Sequence, residues 1–238
     1  MRLAGKTVMI TGASRNIGKE VALTFAREGS DLVLNTRNSQ PEIEEVAAQC
    51  RELGANTHVA MGDVTNPDRA QQMVQEGIGA LGKIDVLVSN VAIRPHKPIL
   101  EVSNEEWDMV MQTNLFPAFY LIKAVLPGMM ERRIGSIIAL GGQAALTGRP
   151  ETISVTSAKH GLLGMLRAVA AEMAPYNIRA NMVNPGSTDT ERRNPEWYPE
   201  FQQVDRGSGV FLPRTPAEAG RELPPSSPLC LLYTSDAA

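Results

Sequence analysis

Residues 6–29 read KTVMITGASRNIGKEVALTFAREG. A short β-branched and apolar run comes first, then a turn with glycines at 12 and 18, then apolar residues at four-residue spacing as far as Gly29. That order predicts a strand followed directly by an amphipathic helix. Such a turn presents backbone N–H groups and the positive end of the helix dipole to an anion. A lone glycine pattern is a weak signal, but its place between a strand and a helix supports a phosphate-binding turn.

The rest of the chain repeats this alternation of strands and helices. Five further strands are predicted, in DLVLNT (31–36), THVAMGDV (57–64), IDVLVSN (84–90), GSIIAL (135–140) and IRANMVNPG (178–186). Runs that are apolar on both faces and separated by helices are typical of βαβ units with a parallel sheet covered on both sides. We therefore predict a single-domain α/β fold, a Rossmann-type doubly wound parallel sheet with helices on both faces. Ligands of such sheets bind at the carboxyl ends of the strands.

Helix boundaries are marked by capping signals. Ser39 with Glu42, and Ser103 with Glu106, have the spacing of capping boxes. The second pair opens a long helix that we expect to reach about residue 131, with a kink at Pro117. A further helix is predicted over 153–174.

Composition excludes several classes of protein. The chain has 238 residues, is 43% hydrophobic and carries a formal net charge of −3, which fits one globular domain without a basic surface for nucleic acid. No apolar run approaches the roughly 20 residues of a membrane helix, and no secretory signal is visible, so we expect a cytoplasmic protein. The two cysteines, Cys50 and Cys230, provide neither a disulfide framework nor a metal cluster.

The turn TGASRNIG resembles the fingerprint T-G-x-x-x-G-x-G of the short-chain dehydrogenase/reductase family, in the 3-oxoacyl-carrier-protein reductase-like branch. Asn16 replaces the middle glycine, and asparagine is the residue after glycine that best tolerates a positive φ. The resemblance continues in Asp63-Val64, in SNVA (89–92), in Asn114 and Lys159, and in PGSTDT (185–190), and covers roughly residues 3–220. It implies a nicotinamide cofactor and an oxidoreductase that transfers hydride to or from a small carbonyl or hydroxyl substrate.

The resemblance also implies the residues that bind the cofactor. These are Gly12, Ser14, Arg15, Asn16, Ile17, Gly18, Arg37, Asp63, Val64, Asn90, Ala92, Lys159, Pro185, Gly186, Thr188 and Thr190. Enzymes that use NAD place an acid at the end of the second strand for the ribose hydroxyls. Here Thr36 occupies that place, and two guanidinium groups, Arg15 and Arg37, suit a 2′-phosphate. The pattern favours NADP over NAD.

The catalytic pattern of the family is incomplete in this chain. The resemblance implies a tyrosine four residues before Lys159, a serine after the fifth strand, and Asn114 supporting the lysine through water. Aligned on Lys159, the tyrosine position holds Val155 and the serine position holds Gly142. Only Asn114 and Lys159 remain as catalytic candidates.

Other side chains near Lys159 are weak substitutes for the phenol. Thr156 shares roughly the lysine's side of the helix, but its hydroxyl is a much weaker acid. Ser154 and His160 point elsewhere, and His96 lies on a loop where an exposed structural role is the ordinary interpretation. Two hypotheses stay open: a reductase with a different proton source, and a catalytically silent NADP-binding homologue that acts as a sensor or a stabilising subunit. A third is a truncated gene product without a function of its own.

The end of the chain departs from the family. We expect residues 1–220 to form the dinucleotide-binding domain and 221–238, RELPPSSPLCLLYTSDAA, to be an aberrant tail. Its last nine residues, CLLYTSDAA, resemble translated sequencing-adapter sequence. The last strand of the sheet would then be missing and an edge exposed. The expected partners are a small-molecule substrate and further copies of the chain in a dimer or tetramer, with no membrane and no metal.

Overall fold

The structure is a computed structural model that describes residues 1–186, 188, 190, 191, 197 and 231–233. The strands are β1 Thr7–Ile10, β2 Asp31–Thr36, β3 Thr57–Met61, β4 Val86–Ser89, β5 Gly135–Leu140, β6 Ile178–Asn184 and β7 Leu231–Tyr233. The helices are α1 Asn16–Arg27, α2 Gln40–Glu52, α3 Pro67–Leu81, α4 Asn104–Asn114, α5 Phe116–Arg132 and α6 Ile153–Met173. Each predicted strand and helix is present, so the strand–helix alternation read from the sequence is confirmed.

The strands form one sheet in the order β3-β2-β1-β4-β5-β6-β7, and the first six are parallel. The chain runs outward from β1 to β3 and then returns to the other side of β1 with β4. This reversal leaves a crevice between the carboxyl ends of β1 and β4, where ligands of open α/β sheets bind. The doubly wound fold class is confirmed.

A short segment of the tail takes the edge of the sheet. The sequence predicts that the last strand is missing, and no seventh parallel strand exists among the described residues. Instead β7 pairs antiparallel with β6, from Met182 opposite Tyr233 to Asn184 opposite Leu231. The unpaired backbone groups of an edge strand favour such additions. Because β7 pairs with the last three residues of β6, less of the β6 edge is exposed than the sequence predicts. The remainder of the predicted tail lies outside the described residues.

Both faces of the sheet are covered by apolar side chains, because alternate strand residues point to opposite sides. On one face Met9 and Leu87 pack with residues of α3, α5 and α6. On the other face Val8 and Ile10 pack with α1 and α2. Cys50 is buried in this second cluster, where burial raises the pKa of its thiol to about 11, so the residue has a packing role.

The helix signals are confirmed with two exceptions. Ser103 and Glu106 make the reciprocal hydrogen bonds of a capping box at the start of α4. Ser39 is the N-cap of α2, but its side chain makes no capping hydrogen bond, so the first predicted capping box is wrong. The kink expected at Pro117 is a full break at Leu115, because proline is suited to the first turn of a new helix.

The stretch Asn104–Arg132 is the one part of the described chain that is long and apolar enough to cross a membrane. Length and composition are weak evidence, since a core helix of a globular protein passes the same test. Here Val110, Leu121 and Met129 are fully buried within the fold. Packing within the fold therefore accounts for part of the apolar surface of this stretch.

Candidate active site

The turn between β1 and α1 is joined to the end of β4 by hydrogen bonds. The side-chain amide of Asn90 donates to the carbonyl oxygens of Thr11, at 3.0 Å, and Gly12, at 3.1 Å. The backbone N–H of Asn90 donates to Oγ1 of Thr11 at 3.0 Å. Gly12 has φ +63°, a conformation open to glycine without cost. The turn is therefore held rigidly at the crevice between β1 and β4.

Gly18 allows the helix α1 to approach this turn closely. A Cβ atom at Gly18 would collide with the carbonyl oxygen of Gly12 and lie 2.9 Å from the side-chain nitrogen of Asn90. The first turn of α1 carries no acidic residue. The helix N-terminus therefore keeps its backbone N–H groups and positive dipole end directed at the crevice, which fits a pyrophosphate.

Asn16, at the middle-glycine position of the turn, has φ +50°. The expectation that asparagine would preserve the turn by adopting a positive φ is confirmed. The side chain has an additional role that the sequence did not indicate: Nδ2 donates to the carbonyl oxygen of Glu191, and the Glu191 N–H donates to Oδ1, both at 3.1 Å.

The end of β2 has no carboxylate. Thr36 is buried there, and its hydroxyl donates to Oγ of Ser14 at 3.3 Å, which ties β2 to the phosphate turn. The next residue, Arg37, has a side chain that is 67% exposed and lies 3.4 Å from a carboxylate oxygen of Asp63. An exposed ion pair of this kind contributes little energy, so the guanidinium can turn to another anion at low cost.

Asp63 and Val64 follow β3 on the same edge. Burial raises the pKa of the Asp63 carboxyl, but the hydrogen bond from the Thr65 backbone N–H, at 2.9 Å, and the charge of Arg37 outweigh it. The net pKa is below the ordinary value. Asp63 is therefore ionised at neutral pH, and Val64 is buried beside it.

Asn114 binds the segment that follows β4. Its buried amide accepts a hydrogen bond from the N–H of Ile93 and donates one to the same residue's carbonyl oxygen, both at 2.8 Å. Ala92, just before Ile93, is held at the edge of the crevice by this pair. In this structure Asn114 positions the crevice wall, a role that the resemblance does not imply.

Lys159 lies on α6 with only 3% of its surface exposed. Its Nζ donates to the carbonyl oxygen of Leu140, at the end of β5, at 2.5 Å. Burial lowers the pKa of the ammonium to about 8, and the positive charge of Arg94 contributes in the same direction. The lysine is a buried cation at pH 7 that loses its proton easily above pH 8.

Val155 and Gly142, which occupy the tyrosine and serine positions of the family, have surroundings that do not suit those two residues. Val155 is 3% exposed and packs in a small apolar cluster with Val110 and Ala158. Gly142 has φ +99° and ψ −179°, a backbone region that is essentially restricted to glycine. The sequence alignment identified these positions but not the reason why a serine would be strained at 142.

Asn184, at the end of β6, was missed by the sequence analysis. Its Oδ1 accepts the N–H of Gly142 at 3.0 Å, and its Nδ2 is buried without a hydrogen-bond partner among the described residues. The available signal was a polar residue at the end of an apolar strand, directly before Pro185. Because the Gly142 N–H requires an acceptor, the amide orientation is determined and the unsatisfied donor follows from it.

The side chains considered as substitutes for the phenol have local partners. The hydroxyl groups of Thr156 and Thr152 are 3.0 Å apart, and Nδ1 of His160 is 3.0 Å from the carbonyl oxygen of Thr156. Ser154 is buried, and the backbone N–H of His96 donates to the backbone carbonyl oxygen of Trp197 at 3.2 Å. None of these contacts directs a proton donor towards Lys159.

The turn after β6 completes the edge of the crevice. Pro185, Gly186 and Thr190 lie on it, and the hydroxyl of Thr188 donates to the carbonyl oxygen of Gly186 at 3.3 Å. Within the residues that the structure describes, no group of three His, Cys, Asp or Glu side chains could hold a metal ion. The predicted cofactor residues thus lie along the carboxyl edge of β1 to β6.

The sheet order and the glycine-bearing turn at its switch point define a Rossmann-type dinucleotide-binding fold. The family model for short chain dehydrogenases matches residues 6–199. A 3-oxoacyl-[acyl-carrier-protein] reductase from Staphylococcus epidermidis is 32% identical over 189 residues, which cover 79% of this chain and 78% of that protein.

Solved structures of dehydrogenases have the same fold. A dehydrogenase/reductase from Sinorhizobium meliloti 1021 superposes with a TM-score of 0.74 at 30% identity, covering 79% of this chain and 75% of that one. Carveol dehydrogenase from Mycobacterium avium, in complex with NAD, has a TM-score of 0.74 at 27% identity, with 77% and 71% covered. The chain belongs to the short-chain dehydrogenase/reductase family of oxidoreductases, in the 3-oxoacyl-carrier-protein reductase-like branch.

Proposed function

We propose that residues 1–220 form an NADP-dependent oxidoreductase domain of the cytoplasm, acting between the nicotinamide and a small carbonyl or hydroxyl substrate. One observation carries the proposal: the buried Lys159 cation lies at the end of β5 on the same sheet edge as the phosphate turn. The bound nicotinamide would supply or accept hydride. Gly12 and Gly18 would admit the pyrophosphate, and Lys159 would bind a ribose hydroxyl with its remaining N–H groups.

Proton transfer is where this domain would differ from its relatives. When hydride adds to the carbonyl carbon, the oxygen needs a proton to become a hydroxyl group. Val155 offers none, so the proton would come from Lys159, from water or from the substrate. A pKa of about 8 makes the lysine a plausible acid near neutral pH.

A specific observation supports the second candidate, a catalytically silent NADP-binding protein that acts as a sensor or stabilises an active partner. Val155 closes the position of the phenol with a buried apolar contact to Val110. A positioned general acid contributes roughly 10²–10⁴ in rate. Turnover assays with a panel of ketones, imines and alcohols separate the two candidates, since a silent binder shows nucleotide binding alone.

We expect NADPH to bind more tightly than NADH, because Arg37 with Arg15 can pair with the 2′-phosphate and Thr36 offers no competing carboxylate. Arg37→Ala should cost about 1–3 kcal/mol for NADPH and little for NADH, as measured by isothermal titration calorimetry. Arg51→Ala is the matched control, since the exposed Arg51 lies in the last turn of α2, at the opposite edge of the sheet. Equal affinity of the unmutated protein for the two cofactors would contradict NADP preference.

We also expect the chain to form a dimer or tetramer through α4, α5 and α6. Phe116 is 40% and Phe119 is 51% exposed on α5, and the small exposed residues Gly164, Ala168 and Ala171 lie at helical spacing on α6. Small residues let helices approach closely, and exposed aromatic residues commonly mark interfaces. Phe119→Glu should therefore lower the molar mass measured by light scattering at micromolar concentration.

The control for association is Leu53→Glu, which places the same charge on an exposed apolar residue at the end of α2. It should leave the molar mass unchanged. If the unmutated protein is a monomer at these concentrations, the association is excluded.

A further inference from the structure

Asn16 connects two parts of the chain that are 175 residues apart in sequence. Its side-chain amide donates to the carbonyl oxygen of Glu191 and accepts from the Glu191 N–H, each at 3.1 Å. An amide group that hydrogen-bonds to both the N–H and the carbonyl oxygen of one residue holds the backbone of that residue in position and orientation. We call this pair of hydrogen bonds the Asn16 clasp.

The clasp lies across the edge of the crevice. Asn16 is the first residue of α1, directly after the phosphate turn, whereas Glu191 follows the turn that leaves β6. In the sheet, β1 and β6 are separated by β4 and β5. The side chain of Asn16 therefore joins the pyrophosphate side of the crevice to the side where Pro185 and Gly186 lie.

The positive φ of Asn16 suggests that its side chain has a structural role. With φ +50°, this position suits glycine best, and any other residue adopts it at some cost. Asparagine is tolerated, but tolerance alone does not explain two well-formed hydrogen bonds to a distant segment. The side chain supplies a contact that glycine would lack.

We propose that Asn16 is a positioning residue that fastens the turn after β6 onto the phosphate turn, and that the clasp retains the bound dinucleotide. Release of the dinucleotide requires the two hydrogen bonds to break, so the clasp slows dissociation. The retention rests on the proposed function, because it needs a dinucleotide in the crevice. The clasp itself does not, since it joins two residues of the chain directly.

The test compares Asn16→Gly with Asn177→Gly. Both positions have a positive φ, +50° and +58°, and both asparagine side chains hydrogen-bond to a distant backbone carbonyl. Asn177 lies before β6, at the opposite end of the strand from the crevice. Glycine relieves the backbone equally at both sites, so a difference between the variants reports on the clasp.

The first measurement is hydrogen–deuterium exchange of the Glu191 amide in the free protein, by mass spectrometry on a peptide that ends beyond it. Exchange should be about 10-fold faster in Asn16→Gly, as expected for two lost hydrogen bonds, and unchanged in Asn177→Gly. Asn16→Asp keeps an acceptor for the Glu191 N–H and loses only the donor, so its exchange should be intermediate. Equal exchange in all four proteins would overturn the clasp.

The second measurement is the dissociation rate of NADPH, followed by stopped-flow fluorescence after displacement with excess NADP. Dissociation should be about 10-fold faster in Asn16→Gly, with Asn177→Gly at the rate of the unmutated protein. Faster exchange with unchanged dissociation would overturn retention. A protein that binds neither NADPH nor NADH would contradict the proposed function and retention together, and the exchange measurement would still decide whether the clasp exists.

Discussion

Val155→Tyr should raise the rate of carbonyl reduction by about 10²–10⁴, the contribution of a positioned general acid. Val155 lies one helical turn before Lys159 on α6, so a phenol there would face the lysine cation, which lowers a neighbouring pKa. The rate of NADPH oxidation with a panel of small ketones measures the effect.

The matched control is Val155→Phe, which introduces the same ring without the hydroxyl group. Both variants overfill the apolar cluster of Val110, Val155 and Ala158, and we expect each to lose about 1–3 kcal/mol of folding free energy. Measurements of thermal unfolding and of NADPH binding would establish whether both variants remain folded. Only the tyrosine variant should gain turnover, because only it can donate a proton.

Gly142→Ser, added to Val155→Tyr, should contribute less than a serine does in an ordinary oxyanion site. A donor to a developing oxyanion contributes about 10²–10³ in rate. At Gly142, however, φ +99° with ψ −179° costs a serine roughly 1–3 kcal/mol or forces the loop to move. The double variant should therefore be less stable than Val155→Tyr alone and gain less than the full factor.

The same variants distinguish the two candidate functions. An enzyme with a different proton source already turns over a substrate of its own, and it should lose that reaction when the tyrosine fills the space beside Lys159, even as the reduction of simple ketones rises. A silent binder has no reaction to lose. If the folded double variant binds NADPH and turns over no ketone in the panel, the proposal that Lys159 and Asn114 form a working reductase site is wrong.

The second large effect is on stability at alkaline pH. Burial holds the pKa of Lys159 at about 8 in the folded protein, against an ordinary value of 10.5. Between these values the unfolded chain binds the extra proton, so the free energy of unfolding rises with pH. At about 1.36 kcal/mol per pKa unit, the folded state should gain on the order of 3 kcal/mol from this group.

Urea unfolding at pH 7.5, 9 and 10.5 measures this gain against two variants. Lys159→Met keeps a long side chain without a charge, and its unfolding free energy should lack the rise that Lys159 contributes. The buried Cys50 thiol, whose pKa is raised to about 11, lowers stability above pH 9 in all three proteins, so the gain is the difference between the unmutated protein and Lys159→Met. Lys123→Met removes an exposed lysine of α5 and should follow the unmutated protein. A rise of equal size in the Lys159→Met protein would show that another group is responsible.

Much of the fold could be predicted because its signals are local. The six parallel strands are runs of β-branched and apolar residues between helical patterns, and parallel strands buried on both faces require that composition. The positive φ of Asn16 also followed from the chemistry of the residue. Failures at this level were small: the Ser39 side chain makes no capping hydrogen bond to α2, although the same spacing at Ser103 and Glu106 forms a capping box.

The candidate site was predicted less completely than the fold. Aligning the family pattern on Lys159 identified Val155 and Gly142 as departures, since that comparison needs only sequence positions. It did not indicate that Asn114 would bind Ile93, or that Arg37 would pair with Asp63. These side chains have several partners within reach of their chain positions, and packing selects one.

The sequence by itself determined the order of strands and helices, the phosphate turn and the absence of the two hydroxyl groups, because each depends on residue type and close neighbours. Only the tertiary structure decided that Asn184 binds the Gly142 N–H, that residues 231–233 pair with β6, and that Asn16 reaches Glu191. These contacts join segments far apart in the chain. Their geometry follows from how the strands stack side by side, which no local preference specifies.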